Sequence, residues 1–259
     1  MSENEDESNS KNRIQSVENA FKIVDELKQR ESASVSALAR DLEIPKSTAH
    51  VYLQTLQDLG YVVQEDDKYG LSLRFLELGG HVRHDLNIYH AARTEIDDLS
   101  ETLGEVATIG YEQNGLRVLV YRTEPTTGIS DNAPTGEYTQ MHWTALGKAL
   151  LSRHSDAEVR DIADRHGLPA ATEQTITDVD TLLEEIQTIR DQGYALEDEE
   201  RVNGIRSIAV PIGNTALGGN SAISIAGPKH RFNDDRIEDE LLPELKNAAN
   251  VIELEYRHY

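Results

Sequence analysis

The sequence predicts an α+β chain in two folded parts, a small helical unit carrying a β-hairpin and a larger domain of strands flanked by helices. Three observations carry the prediction. Apolar residues recur at helical spacing through the opening segments of the chain. After Gly104 the period shortens to the alternation typical of strands. Finally, 259 residues are enough to bury two separate cores.

The elements follow in order. Residues Ser16 to Arg30 form a first helix, with Val17, Ala20, Phe21, Val24 and Leu27 inward and Ser16 as its cap. "SALARDLE" forms a second, with Ala37, Leu38 and Leu42 inward and Ser34 or Ser36 capping. "IP" interrupts the chain, and a third helix starts at Lys46. Its inner set is Ala49, Tyr52, Leu53, Leu56 and Leu59, and Gly60 ends it. In "YVVQEDDKYGLSLR" two alternating runs flank a charged turn, which predicts a hairpin. This order, over residues 13–80, is that of a winged helix-turn-helix.

"FLELGGHV" and "LNIYHAARTEIDDLSETLG" continue as helix. Its buried stripe is Leu86, Tyr89, Ala92 or Arg93, Ile96, Leu99 and Leu103. Residues 81–103 are read as a helix linking the two parts, with Gly79–Gly80 as a hinge. The second domain occupies 104–259. "EVATIGYE" and "LRVLVYR" pair around the turn signal "QNG", and "TEPTTGISDNAPTGEYTQ" reads as loop. "TALGKALLSR", "SDAEVRDIADRHG" and "DVDTLLEEIQTIRDQG" are helical, and "YALEDEE", "RSIAVPIG" and "SAISIAGP" are strands. A last helix presents Ile237, Leu241, Leu245, Ala248 and Ile252 on one face.

Composition narrows the function. There are 47 acidic against 25 basic side chains, a net charge of −22, and only 8 of the basic residues are lysine. Such a surface suits a cytoplasm at molar salt, where charge is screened within about 3 Å. A halophilic source is expected. The acid is unevenly spread: residues 11–86 are net −2, residues 87–259 net −16, and the first ten −4. The candidate nucleic-acid binder is thus the segment kept near neutral. Residues 1–12 are read as a disordered acidic tail, neither a signal nor a transit peptide. With no cysteine and no apolar run near membrane length, a cytoplasmic protein without disulfides or membrane contact is expected.

The third helix opens with Lys46, Ser47, Thr48 and His50 pointing away from the leucine stripe, and Val51, Gln54 and Thr55 extend that face. Short hydroxyls and free amides at a helix start suit phosphate, while His50 and Gln54 suit base edges. Ser36 on the second helix and Lys68 and Tyr69 in the hairpin complete the candidate DNA-binding set. The competing reading is a sensor or scaffold whose winged helix contacts protein. Enzymatic function finds little support. Gly-x-Ser-x-Gly, a phosphate-cradling glycine loop and His-Glu-x-x-His are all missing, and His81 and His84 beside Asp85 lack further converging ligands. No cofactor and no metal are expected.

The segments "SVENAFKIVDEL", "SVSALARDLEIPKSTAHVYLQTLQDLGYV", "GLSLRFLELG", "TALGKALL", "GYALEDEE", "GIRSIAVPI" and "AISIAGP" share the order and spacing of IclR-type transcriptional regulators, which this chain resembles from Ser16 to its C-terminus. With the acidic surface, the resemblance points to a halophilic archaeon. It implies a winged helix, a linker helix and a GAF-like α/β effector-binding domain. It further implies a homodimer or homotetramer that binds double-stranded operator DNA and regulates catabolic genes. For the effector, a carboxylate or sugar-derived metabolite, it implicates His142, Thr144, Ala145, Leu146, Glu197, Asp198, Ser207, Ser224 and Ala226. Trp143 beside them could stack on a ligand or fill core, and Glu199 and Glu200 read as solvated surface. Two departures lower the positive charge: Val51 and Asn19 stand where relatives often have arginine. Ala145–Leu146 replaces a smaller, glycine-containing pair, which makes the site tighter or more apolar.

Overall fold

The computed structural model describes residues 14–123, 133–213 and 220–258, so the acidic tail of 1–12 lies outside the described residues. Two compact units divide between Val82 and Arg83.

In the first unit, α1 (Gln15–Arg30), α2 (Val35–Asp41) and α3 (Lys46–Asp58) precede β1 (Val62–Glu65) and β2 (Lys68–Leu71). The two strands pair antiparallel, from Val62 opposite Leu71 to Glu65 opposite Lys68. Ile23, Leu27, Ala33, Leu38, Leu53, Val62 and Tyr69 form the core. Ser34 caps α2 by accepting from the Ala37 amide at 3.3 Å. Three sequence expectations are corrected. Ile14 rather than Ser16 occupies the α1 cap. Burial of Ile23 turns the α1 stripe so that Val17 and Phe21 face out, 50% and 61% exposed. Leu59 falls one residue beyond α3 and is 56% exposed, because Gly60 (φ +81°) turns the chain there.

The expected single connector is two helices, α4 (Arg74–His84) and α5 (Asn87–Leu103). Gly79 and Gly80 are not a break. Both sit inside α4 with open space around them, and the chain leaves helix at Asp85–Leu86 instead. α5 buries Ile88, Ala91, Ala92, Ile96, Leu99 and Leu103 in the core of the second unit.

Among its described residues, the second unit holds one antiparallel sheet of six strands. β3 (Val106–Gln113) and β4 (Leu116–Arg122) are joined by Asn114–Gly115, both at positive φ as a tight primed turn requires. β5 (Tyr138–Thr139), a two-residue strand inside the segment expected to be loop, pairs with β4. After a 3₁₀ turn at Met141–Trp143 come α6 (Ala145–Leu151), α7 (Asp156–His166) and α8 (Val179–Gln192). β6 (Ala195–Asp198), β7 (Ile205–Ile212) and β8 (Ser221–Pro228) follow, and the strand order is β5-β4-β3-β8-β7-β6. The last helix begins at Asp234–Arg236, widens to a π-helical stretch at Ile237–Leu241 and continues as α9 (Leu242–Tyr256). The widening accommodates Pro243, which has no N–H to give and would crowd an ordinary turn.

Alternation sorts the sheet into two faces. Ala107, Ile109, Val120, Ile208, Val210, Ile212, Ile223 and Ile225 pack with α5 and α9. Ala195, Ala209 and Ala222 pack with α6, α7 and α8. Small residues on this second face leave room beneath α6. A bulge sharpens the division. Opposite β3, the partner of Ile109 is Tyr121 while that of Gly110 is Leu119, so Val120 is an extra residue in β4. Tyr121 is thereby turned toward α5, where its hydroxyl donates to Asp97 at 2.6 Å. Arg122 joins Arg117 and Leu119 on the opposite face.

Candidate functional site

Two surfaces concern function. On the first unit, Lys46, Ser47, His50, Val51, Gln54 and Thr55 of α3 are exposed and Thr48 is half-buried. Pro45 at the cap has no side-chain acceptor, so the first-turn amides of α3 are left to solvent or an anion. Thr55 is less available than its position suggests, since its hydroxyl donates to the Val51 carbonyl at 2.8 Å. Ser36 on α2 and Lys68 on the wing are exposed. Tyr69 is not. It is 5% exposed, lies in the core, and exchanges backbone hydrogen bonds of 2.9 and 2.8 Å with Ala33. The hairpin's period of two sends Tyr69 inward where Lys68 points out, so Tyr69 is withdrawn as a DNA contact. The wing tip itself carries Glu65, Asp66 and Asp67.

The second surface is a cavity of about 70 Å³ on the α6 face of the sheet. Strands from β4 to β6 form its floor and the start of α6 its roof. Of the residues expected at the effector site, Thr144, Leu146, Glu197, Ser207, Ser224 and Ala226 line it. Thr144 caps α6, accepting from the Gly147 amide at 3.0 Å. Gly147 is required there because a Cβ would lie 2.1 Å from the Met141 carbonyl oxygen.

The other three are placed elsewhere. Ala145, the first residue of α6, is wholly buried in the core. Asp198 alternates with Glu197, faces away from the cavity and pairs with Lys229 at 2.7 Å. His142 is 2% exposed, and its Nε2 meets the Pro169 carbonyl at 3.1 Å. Burial holds the His142 imidazole below its ordinary pKa, with the Lys148 charge adding to the effect and the Pro169 contact opposing it. Trp143 donates to the same carbonyl at 2.8 Å and does not line the cavity.

Glu197 is the acidic group of the cavity wall. The Ser207 hydroxyl donates to its Oε2 at 2.7 Å, and the Glu200 and Arg201 amides approach Oε1 at 2.8 and 3.3 Å. Burial outweighs these donors, and the pKa is pushed up to about 6. Glu200 is not solvated surface, contrary to expectation. It is 8% exposed, and its Oε1 accepts from the fully buried Lys148 ammonium at 2.7 Å. Lys148 also donates to Glu185 at 3.0 Å. Burial raises the Glu200 pKa, opposed by Lys148. The hydroxyls of Thr172 and Thr175 donate to the Glu200 carbonyl at 3.2 and 2.6 Å. The turn that positions Glu197 is thus fastened from both sides.

Sequence reasoning missed the cations of this cavity. Arg117, Arg122 and Arg201 line it together with Thr108, Leu119, Val202 and Ile205. Strand alternation could have paired Arg117 with Leu119, but the bulge at Val120 hides Arg122.

A winged helix-turn-helix with a polar third helix, followed by an α/β domain holding a small cavity lined by arginines, is the build of a DNA-binding regulator with an effector domain. Comparison with known proteins agrees. Residues 16–66 match the IclR helix-turn-helix domain, and residues 80–254 match the bacterial transcriptional regulator IclR C-terminal domain. The chain belongs to the IclR family of transcriptional regulators. It is 30% identical over 251 residues to the probable HTH-type transcriptional regulator ArcR of Halobacterium salinarum, covering 93% of this chain and 94% of that one. It is 30% identical over 241 residues to the HTH-type transcriptional regulator KdgR of Escherichia coli, covering 92% and 91%. The crystal structure of the Thermotoga maritima IclR superposes with a TM-score of 0.75 at 27% identity, covering 94% of this chain and 99% of that one.

Proposed function

We propose that the chain is a homo-oligomeric, cytoplasmic regulator of catabolic genes that acts by binding rather than catalysis, and that its operator affinity is set by a small acid held in the cavity. The observation that carries this reading is the convergence of three arginines with Thr144, Ser207 and Ser224 on one small cavity. Guanidiniums favour a carboxylate, and hydroxyls fix its neighbours. At about 70 Å³ the cavity suits a compact acid rather than an aromatic one.

Ser36, Lys46, Ser47, Thr48, His50, Val51, Gln54 and Lys68 form the DNA-facing set, entering the major groove through α3. Pairing of two copies is supported by apolar side chains that the first unit leaves outside: Ile14, Val17 and Phe21 at α1, and Leu76 and Val82 on α4. Effector binding shifts the population of half-site spacings through the helical break at Asp85–Leu86. The acid excess and the relative in Halobacterium salinarum support a halophilic archaeal source.

Footprinting of the gene's own upstream region, in molar KCl with and without candidate acids, tests the reading. A protected near-palindromic site whose occupancy changes with one acid is expected. Protection of no promoter DNA under any condition would refute it.

A further inference from the structure

One side chain already does within the chain what an acidic ligand would do. Arg117 on β4 and Arg201 in the turn after β6 line the cavity from opposite ends of the sheet. Both direct a guanidinium at a single carboxylate, that of Glu137 just before β5. Arg117 Nη2 donates to Glu137 Oε2 at 3.0 Å, and Arg201 Nη2 lies 3.3 and 3.2 Å from Oε1 and Oε2. Arg117 Nε is held independently by Thr139 Oγ1 at 2.7 Å, so its fork keeps its aim without Glu137. The two contacts are unequal. The Arg117 side chain is 4% exposed, whereas Arg201 and Glu137 are 21% and 23% exposed. The Arg201 contact is long, shared between two oxygens and reached by water, and is the weaker half.

A carboxylate gripped by two guanidiniums is the usual way a protein recognises an acid. Here the acid comes from a residue that is not itself part of the cavity wall. The wall's own acid, Glu197, has both oxygens engaged by Ser207 and the Glu200 amide. We infer that Glu137 is an internal stand-in for the effector's carboxylate, and that an acidic effector binds by displacing Glu137 from Arg201 and Arg117. The inference rests on the reading of the cavity as the effector site. A tethered competitor lowers apparent affinity by the fraction of time the seat is filled, whatever the protein concentration. Displacement also unties the turn after β6 from the β5 edge. The negative charge of the ligand, rather than its shape, then changes how the two edges of the sheet are held.

Calorimetric titration of the full chain in molar KCl tests this, with acetate, propionate, lactate and pyruvate against acetamide, propionamide and lactamide. At least one acid should bind, with its amide about tenfold weaker or more. Glu137→Gln removes the competing charge while keeping the side-chain shape. It should tighten acid binding about 5- to 10-fold and leave the amide unmoved. Glu137→Asp, which shortens the reach, should move affinity in the same direction, and Arg201→Gln should weaken acid binding about tenfold. The inference is overturned if both Glu137 variants leave acid binding unchanged or weaken it, or if no acid in the panel binds either wild type or E137Q. Ala226→Leu, which fills the cavity, separates the two readings. Binding abolished by A226L yet indifferent to Glu137 removes the stand-in and keeps the effector site. Binding that responds to Glu137 but never alters operator occupancy keeps the stand-in and removes the effector reading.

Discussion

Glu197→Gln should make the protein more stable above neutral pH and have no such effect in acid. The buried Glu197 carboxylate accepts from one hydroxyl and two amides, which favour its charged form, yet burial prevails and lifts its pKa from 4.5 to about 6. The folded state therefore holds this proton more tightly than the unfolded chain does. Between pH 4.5 and about 6 the unfolded chain has released the proton and the folded chain keeps it, so stability falls as pH rises across that window. Above it the full cost applies, and the interval between the two pKa values corresponds to ~2 kcal/mol. Glutamine keeps the shape and one acceptor without the charge. Urea unfolding in molar KCl from about pH 4 to about pH 8 measures the effect. The gain of E197Q over wild type should grow by ~2 kcal/mol from the acid end to the alkaline end. Glu200, whose pKa burial also raises, titrates in both proteins and largely cancels from the difference. A gap that stays constant, or shrinks as pH rises, would refute the assignment of burial as the dominant influence on Glu197.

Other substitutions probe other links. Leu146→Ala removes a side chain that is 2% exposed and lines the cavity. It should cost about 2–5 kcal/mol by thermal or urea unfolding and let longer acids bind, as read by calorimetry. Lys148→Met leaves the Glu200 carboxylate buried without its cation and should cost about 3–5 kcal/mol in urea unfolding. His50→Ala and Gln54→Ala should each cost about 1–3 kcal/mol of operator binding, with relaxed specificity, by anisotropy at molar KCl. Unchanged binding by both would move the reading surface off α3.

Both units were legible in the sequence because their cores follow clean periods. The last helix, predicted to bury Ile237, Leu241, Leu245, Ala248 and Ile252, buries all five. Errors arose where tertiary packing chose between near-equivalent faces. Phe21 looked internal because it is large and apolar, but Ile23 took the inner face of α1. Glu200 looked like surface because it sits in an acidic run, and only the fold brings Lys148 from α6 beneath it. The place of Tyr69 near a hairpin tip suggests an outward side chain, but alternation with Lys68 sends it inward. Gly79–Gly80 suggested a hinge from composition alone, yet helix continues through it and fails at Asp85–Leu86. At the cavity, the motif-borne residues of α6, β6, β7 and β8 came together, while the arginines of β4 did not announce themselves. No local pattern marks a bulge in "LRVLVYR".

That bulge gives the cavity an unusual dependence. Arg122 shares the face of Arg117 and Leu119 only because Val120 is taken up as an unpaired extra residue. Were the same residues paired as a regular strand, Tyr121 would face the cavity and Arg122 the other side. The charge of the cavity wall is therefore encoded partly in where β4 departs from regular pairing, and not only in its composition. Deleting Val120 would remove the bulge and leave Arg122 on the cavity face, whereas a slip of pairing with Val120 retained would put a phenol in place of a guanidinium without substituting any amino acid.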